Sequence, residues 1–417
     1  MNSEIIAQLK AVKKSFYELE NLNSETRTQV LKDLATRVRA ASEQLIIENK
    51  KDLDLMDSND PKYDRLLLNQ ERIQSIARDI ELVATLPNPI GKILVENKMP
   101  NGLIIKKMTV PIGVIAVIYE SRPNVTLDVF SLCFKTGNAC VLKGSKEAFF
   151  SNQFLVTIIK NTLNDYKLNP NLVYLLPPER EYTLYLLKAR EYIDLCIPRG
   201  SQALIEFVRK NAQVPIIETG AGIVHTYFDK KGDLNKGQLI INNAKTRRVS
   251  VCNALDTLVI HQKRLADLPE LIKLLANKEV KIYADSLSFH ALEKHYPSNL
   301  LHQAEAQNFG QEYLDFKMAI KTVSTLEEAI EHIQLYTSHH SEAIITEDTE
   351  ACHKFLSAVD AAVVYVNAST AFTDGGQFGL GAEIGISTQK IHARGPMGLD
   401  ALMSYKWIVL GDGQIRD

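Results

Sequence analysis

Of the five cysteines, at 133, 140, 196, 252 and 352, Cys252 is the one best placed to act as a single thiol. It lies in AKTRRVSVCNALDTLVIH, behind Lys245, Arg247 and Arg248 and ahead of an apolar run that reads as a strand, so a loop is expected to carry it. Positive neighbours favour the thiolate, the nucleophilic form, and the chemistry this offers is covalent catalysis through sulfur. The bland alternative is a buried, inert cysteine, the commonest fate of a free thiol in a cytoplasmic protein. Cys133, Cys140 and Cys196 fall within apolar runs and Cys352 on a polar helical stretch, so these four read as core or incidental. There is no Cys-x-x-Cys pair and no cluster of ligands with His, which argues against structural zinc and against a disulfide framework; no metal is expected.

Other residues could hold a ligand. Pro198-Arg199-Gly200-Ser201 comes after IDLCI and opens the helical pattern SQALIEFVRKNA, where amides at the helix start can seat a phosphate. The G-x-G-x-x-G fingerprint is missing, and an ordinary connecting turn accounts for the segment equally well. Lys143 ends the strand ACVLK, at the edge where cofactors gather on a parallel sheet, although strand-end lysines are also commonly just solvated. Asn124, in YESRPNVT, either presents its amide to a ligand or caps the helix that starts beside Pro123. Glu218, in PIIETGAG, is either a general base or a loop carboxylate. Residues 375–398 hold seven of the chain's 20 glycines, which implies close backbone approach or positive φ in a long loop, functional or mobile.

The elements that must position these residues are legible as patterns. Over the first ~90 residues apolar positions recur at Val30, Leu31, Leu34, Val38 and Leu45, then at Ile73, Ile76, Ile80 and Val83, each stripe covering one helix face. Ser24 and Asn69 stand where N-caps belong, and Pro87 and Pro89 close the second pattern. Asn101-Gly102 between two extended runs predicts a hairpin over 93–108. From 110 to 217 apolar runs alternate with helical patterns: 110–119, 139–143, 172–176, 193–197 and 214–217. A second such region has its runs at 255–261, 280–284, 342–346 and 361–366, and SYKWIVLG reads as a last strand. This is βαβ punctuation, which predicts an α/β chain with parallel sheets in two domains.

With 417 residues the chain exceeds the size of one ordinary core, and 45% apolar and 24% charged residues are globular values without a run long enough to span a bilayer. The 48 basic against 50 acidic residues leave a net charge of −2, too little field to steer the protein onto nucleic acid, so a small-molecule partner is expected. The start, MNSEIIAQLK, lacks the basic and apolar regions of a secretory signal, and cytoplasmic residence is the expectation.

Several segments together resemble the gamma-glutamyl phosphate reductase family of the aldehyde dehydrogenase superfamily: VPIGVIAVIYESRPNVT (110–126), CVLKGSKEA (140–148), IPRGSQAL (197–204), AKTRRVSVCNA (244–254) and the long glycine-rich segment at 366–399. The resemblance implies an aldehyde dehydrogenase-like fold: a cofactor-binding domain (1–92 and 110–226), a catalytic domain (227–395) and a small β oligomerisation element (93–109 and 400–415). It implies NADPH-dependent reduction of L-glutamyl 5-phosphate to L-glutamate 5-semialdehyde through a cysteine thioester, in proline biosynthesis, by a homo-oligomer. By position in those motifs it makes Cys252 the nucleophile and Asn124 the oxyanion-binding amide. Lys143, Arg199, Gly200, Ser201 and Glu312 (in QEYLDF) fall to the cofactor, and Arg122 and Arg394 are candidates for the substrate's carboxylate and phosphate. Glu218 matches the carboxylate that activates water in aldehyde oxidation, which an acyl phosphate reductase does not need. Channelling of the labile acyl phosphate from a glutamate kinase is a functional expectation rather than a property of the residues. The competing readings are an oxidative aldehyde dehydrogenase that works without phosphate and a binding protein that keeps the fold without the chemistry.

Overall fold

The structure is a computed structural model that describes residues 3–58, 60 and 63–416. It divides into two compact units, the first being Met1–Thr219 with Gly379–Gly385 and Pro396–Asp417, the second Gly220–Phe378 with Ile386–Gly395.

Among the described residues of the first unit, a four-stranded parallel sheet runs in the order Val173–Leu175, Ala139–Lys143, Val114–Tyr119, Leu195–Arg199. Val114–Tyr119 has neighbours on both sides and helices over its faces, so all of VIAVIY is buried, as its unbroken apolar sequence requires. The stripe Val30, Leu31, Leu34 and Val38 is fully buried on the helix Ser24–Ala40. Leu45 belongs to a separate helix, Ser42–Leu53, because the chain breaks step at Ala41. The cap of the earlier helix is Asn23 rather than Ser24: the Asn23 side chain accepts the Thr26 N–H at 2.8 Å, which makes Ser24 the first helical residue. Asn69 caps as expected, accepting the Arg72 N–H at 2.9 Å.

The run 110–119, which reads as one strand, is two strands in different sheets. Ile104–Pro111 pairs antiparallel with Ile93–Lys98 and with Met403–Leu410, and the chain enters the parallel sheet only at Val114. Gly113, at φ +136°, makes the change of direction, and a Cβ there would lie 2.1 Å from Asp194 Oδ2. That carboxylate accepts the Val114 N–H at 2.7 Å and receives Lys13 Nζ at 2.8 Å, so the corner is stapled by charge. The hairpin turn at Asn101-Gly102 is wider than a two-residue turn, closing where the Met99 N–H reaches the Leu103 carbonyl at 2.8 Å. The apolar run at 214–217 forms a single bridge, Ile216 with Cys196, instead of a strand.

In the second unit a seven-stranded parallel sheet runs Leu301–Gln303, Lys281–Ala284, Lys317–Val323, Thr257–His261, His225–Phe228, Ser341–Ile345, Val363–Val366. Alternate residues feed opposite cores: Phe228, Leu258 and Ile260 pack with Ile241, Ile282 and Ile320, whereas Tyr227 and Val259 pack with Ile333, Ile344 and Phe355. Lys317–Val323 lies mid-sheet yet carries Lys321 and Thr322, polar interruptions that hide it from a search for apolar runs. Among the described residues no helix is long and apolar enough to cross a membrane.

Two histidines of this unit are buried in their neutral form. Burial pushes His332 down to about 3, with the nearby His225 adding to the effect, and pushes His340 down to about 4 from an ordinary 6.5. Between these values and 6.5 the unfolded chain binds a proton that the folded chain refuses, so stability is complete above pH 6.5 and is lost as the pH falls towards 4. The slope is about 1.4 kcal/mol per pH unit for each such group. Melting temperatures measured from pH 8 down to pH 4 should therefore be level at first and fall below about 6.5, with a shallower fall in His340→Gln; equal slopes in variant and parent would contradict this.

Candidate active site

Cys252 sits half-buried in the turn between the helix Leu234–Thr246 and the strand Thr257–His261. The turn is held from both ends. Asn253, almost fully buried, donates through Nδ2 to the Thr373 carbonyl at 2.9 Å, and its own carbonyl accepts the Thr370 hydroxyl at 2.9 Å. On the helix side the Ala244 carbonyl accepts the Leu255 N–H at 3.0 Å, and Lys245 Nζ donates to the Leu255 carbonyl at 3.0 Å. Lys245 is thus not a solvated cation behind the thiol. Its helical phase turns it into the core, where it is fully buried, while Arg247 and Arg248 remain exposed.

Burial lowers Lys245 to about 8 against the opposing pull of Asp256, and burial raises Asp256 to about 7. The Asp256 carboxylate accepts the N–H groups of Tyr313 at 3.0 Å and Val224 at 3.3 Å, tying the segments at 224 and 313 to the base of the thiol's turn. Gly222 stands two residues before Val224. Its N–H donates to Glu312 Oε1 at 2.9 Å, and a Cβ on it would fall 1.7 Å from the Cys252 carbonyl oxygen. Cys252 and Glu312, far apart in sequence, therefore meet at the backbone of one glycine.

Within the first unit the other candidates cluster at the carboxyl edge of the parallel sheet. The segment after Val114–Tyr119 is braced by the Ser121 N–H on Ser145 Oγ at 3.1 Å and by the Tyr119 hydroxyl with Thr126 Oγ1 at 2.7 Å. Arg122 stands in this segment, half-buried. Asn124 does not cap its helix; Pro123 holds the cap position, and Asn124 Nδ2 donates to Asp128 Oδ2 at 2.9 Å. Lys143 is 5% exposed, so it is not a solvated strand end; Nζ donates to the carbonyls of Pro178 at 2.9 Å and Gly144 at 3.0 Å. Burial lowers its pKa, with Glu179 and Glu147 opposing.

At the start of the helix Gln202–Asn211 the anion-seating donors already hold an anion. Glu120 accepts the Ser201 N–H at 2.8 Å and its hydroxyl at 3.1 Å, and it presses on Gly200, where a Cβ would lie 2.6 Å from the Glu120 carboxylate. Arg199 Nη1 donates to the Ile384 carbonyl at 2.6 Å and the Glu383 carbonyl at 3.2 Å. Glu218 is gripped by both carboxylate oxygens, Arg209 Nε donating to Oε1 at 2.8 Å and Arg209 Nη2 to Oε2. In the second unit Arg394 Nη2 donates to Asp360 Oδ1 at 2.7 Å, and Lys390 and Arg394 together pull Asp360 down to about 2.

Comparison with known proteins adds the chain's lineage. A gamma-glutamyl phosphate reductase of Legionella pneumophila (strain Philadelphia 1) is 64% identical over 417 residues, with both chains covered completely. The chain belongs to the gamma-glutamyl phosphate reductase family. The crystal structure of a member of the family from Thermotoga maritima superposes with a TM-score of 0.94 at 38% identity, over the whole of both chains. An acetylating aldehyde dehydrogenase from Geobacillus thermoglucosidasius, at 16% identity over 99% of this chain and 98% of its own, gives a TM-score of 0.73, so the fold is that of the aldehyde dehydrogenases. No family model matches. The family resemblance read from five sequence segments thus extends over the full length of the chain.

Asp128, Gly222, Asn253 and Asp256 support the site without standing out as candidates in the sequence. Asp128 carried a signal, since it lies one helical turn beyond Asn124 on the same face. Gly222, Asn253 and Asp256 act through contacts with residues 370–373, 312 and 313, which no local pattern announces. An alanine at 222 must push the thiol's turn aside, an overpacking that typically costs about 1–3 kcal/mol. Gly222→Ala should lower the melting temperature by several degrees, and an unchanged melting temperature would show that the close approach imposes no constraint.

Proposed function

We propose that this chain reduces L-glutamyl 5-phosphate with NADPH to L-glutamate 5-semialdehyde and phosphate through a thioester on Cys252, as a cytoplasmic step of proline biosynthesis. The full-length match to a gamma-glutamyl phosphate reductase carries this reading. It is supported by Cys252 being, among the described residues, the half-buried cysteine on a turn, while Cys352 rides on a helix and the other three are buried. The first α/β unit takes the cofactor role and the second the thiol's; the three-stranded sheet built from 93–109 and 400–415 joins copies into a homo-oligomer. Its exposed Ile93, Leu94, Trp407 and Val409 support that last role. The acyl phosphate is labile, so the glutamate kinase that supplies it is the expected partner for direct transfer.

The residues present fit an anionic dinucleotide. Ser201 already satisfies a carboxylate through its N–H and hydroxyl, so the start of its helix can receive the oxygens of a pyrophosphate once Glu120 withdraws. Lys143, Arg199, Gly200 and Ser201 would hold the adenosine and phosphate portion, and Glu312 the ribose next to the nicotinamide. When bound, NADPH supplies the hydride.

The Cys252 thiolate attacks the γ-carbonyl carbon, and the C–S bond forms as the carbonyl π electrons move onto oxygen. The Asn124 amide and main-chain N–H groups receive that negative charge, and its collapse expels phosphate and leaves the thioester. Such a donor is typically worth ~2.7–4 kcal/mol in the transition state. Asn124 meets the same charge again when the reduced adduct collapses, the C–S bond breaks, and Cys252 leaves as thiolate with the aldehyde released. Arg122 and Arg394 serve the substrate's carboxylate and phosphate.

An oxidative aldehyde dehydrogenase is the competing enzyme reading, and the occupied state of Glu218 speaks against it. Both Glu218 carboxylate oxygens are engaged by the Arg209 guanidinium, a contact that a water-activating base would have to leave.

Purified protein supplied with glutamate semialdehyde and NADP should form NADPH beyond the first equivalent per site only when phosphate is present, and Cys252→Ser should lower that steady rate by about 10³-fold or more. Turnover without phosphate would favour the oxidative reading. Because a true hydrolytic base contributes about 10²–10⁴-fold, Glu218→Gln should keep phosphate-linked turnover within about threefold of the parent, and a loss of that larger size would restore Glu218 to the chemistry.

A further inference from the structure

We propose that Asp128 is the positioning residue for the Asn124 amide: it accepts one of the two Nδ2 hydrogens and so leaves the other aimed for the substrate's oxyanion. The inference rests on the reading of Asn124 as the oxyanion-binding amide. Its physical basis is independent of that reading. Asn124 is the first residue of the helix Asn124–Lys135, and a polar side chain at such a place commonly turns back to the helix's own first amides. Here Nδ2 runs the other way, along the helix to Asp128 Oδ2 at 2.9 Å, the spacing at which side chains one turn apart face each other.

An asparagine amide on a freely rotating χ2 presents its oxygen or its nitrogen to a ligand with little preference, and an oxygen turned to an oxyanion repels it. An acceptor fixed behind the amide removes the choice, because only the nitrogen can bond to it. Asp128 is itself held in place. It is half-buried, and the charged groups facing it are Arg199 on Leu195–Arg199, Asp79 on Gln70–Thr85 and Glu383 on Gly379–Gly385. Burial raises its carboxyl to about 7, while Arg199 opposes the rise. As the carboxylate Asp128 can only accept and so selects Nδ2, whereas its protonated form could also donate to the Asn124 oxygen; the orienting state is therefore the ionised one, which Arg199 favours.

This separates the expected behaviour of the variants. Asp128→Leu keeps the branched shape, with more bulk, and removes the acceptor, so kcat in the semialdehyde, phosphate and NADP assay should fall about tenfold or more while KM for both substrates stays within about threefold. Asp128→Glu retains an acceptor-only carboxylate one helical turn from Asn124 and should recover kcat to at least about threefold above that of Asp128→Leu. In an Asn124→Ala background, Asp128→Leu should cost nothing further, since the group it positions is gone. Asp128→Ala provides the same comparison should the leucine variant fail to fold.

Full turnover in Asp128→Leu or in Asp128→Ala overturns the proposal. So does a loss that persists undiminished in the Asn124→Ala background, and so does an Asp128→Glu variant as slow as Asp128→Leu. If Asn124→Ala itself turns over like the parent, the oxyanion role of Asn124 is what fails, and the proposal falls with it for that distinct reason.

Discussion

At residue 222 the backbone runs so close to the Cys252 carbonyl that no side chain fits, and the surroundings of the thiol depend on that closeness. Glycine permits the approach, the Gly222 N–H ties it to Glu312, and the next residues are tied to Asp256 through the Val224 N–H. Asp256 in turn holds Tyr313, the neighbour of Glu312. A cysteine on an ordinary surface turn would sample many positions, whereas this one belongs to a turn whose flanking residues are fixed by hydrogen bonds to three separate segments. The balance favours rigidity because each bond is made to a buried or half-buried group, where leaving a partner unsatisfied typically costs ~1–3 kcal/mol.

The same economy of buried polar groups explains the placement of charge elsewhere. Lys245, Lys143 and Lys135 all have their ammonium groups directed onto main-chain carbonyls within the fold, and burial lowers the pKa of each. They act as anchors for chain segments, which a lysine does well because three donors can bridge elements that share no sequence neighbourhood. The Glu120 carboxylate on Ser201 is a contact of another kind, partly exposed and made by groups that an incoming anion could replace.

Much of the architecture was legible because it rests on local periodicity. The strand Ala139–Lys143 matches its apolar run residue for residue, and the Asn69 cap is where its type and position put it. The run at 110–119 misled because an unbroken apolar run does not reveal that the glycine within it has φ +136° and moves the chain from one sheet to another. Lys245 misled because its type suggested a charge near the thiol, whereas its phase on Leu234–Thr246 sends it inward. Cys252, Asn124 and Lys143 could be singled out because motif position marks them, while their supports at Asp128, Gly222, Asn253 and Asp256 are set by tertiary contact and become visible only once the chain is folded.

In the proposed mechanism the acyl group passes through the Cys252 sulfur before phosphate is joined to it. The direct measurement is to mix the protein with glutamate semialdehyde and NADP in the absence of phosphate, quench in acid within the first turnover, and map the adduct by peptide mass spectrometry. A glutamyl group on the peptide that contains Cys252, formed in step with the first equivalent of NADPH and discharged when phosphate is added before the quench, is the predicted result. A first turnover of NADPH with unmodified Cys252, or with the acyl group on another residue, would contradict it.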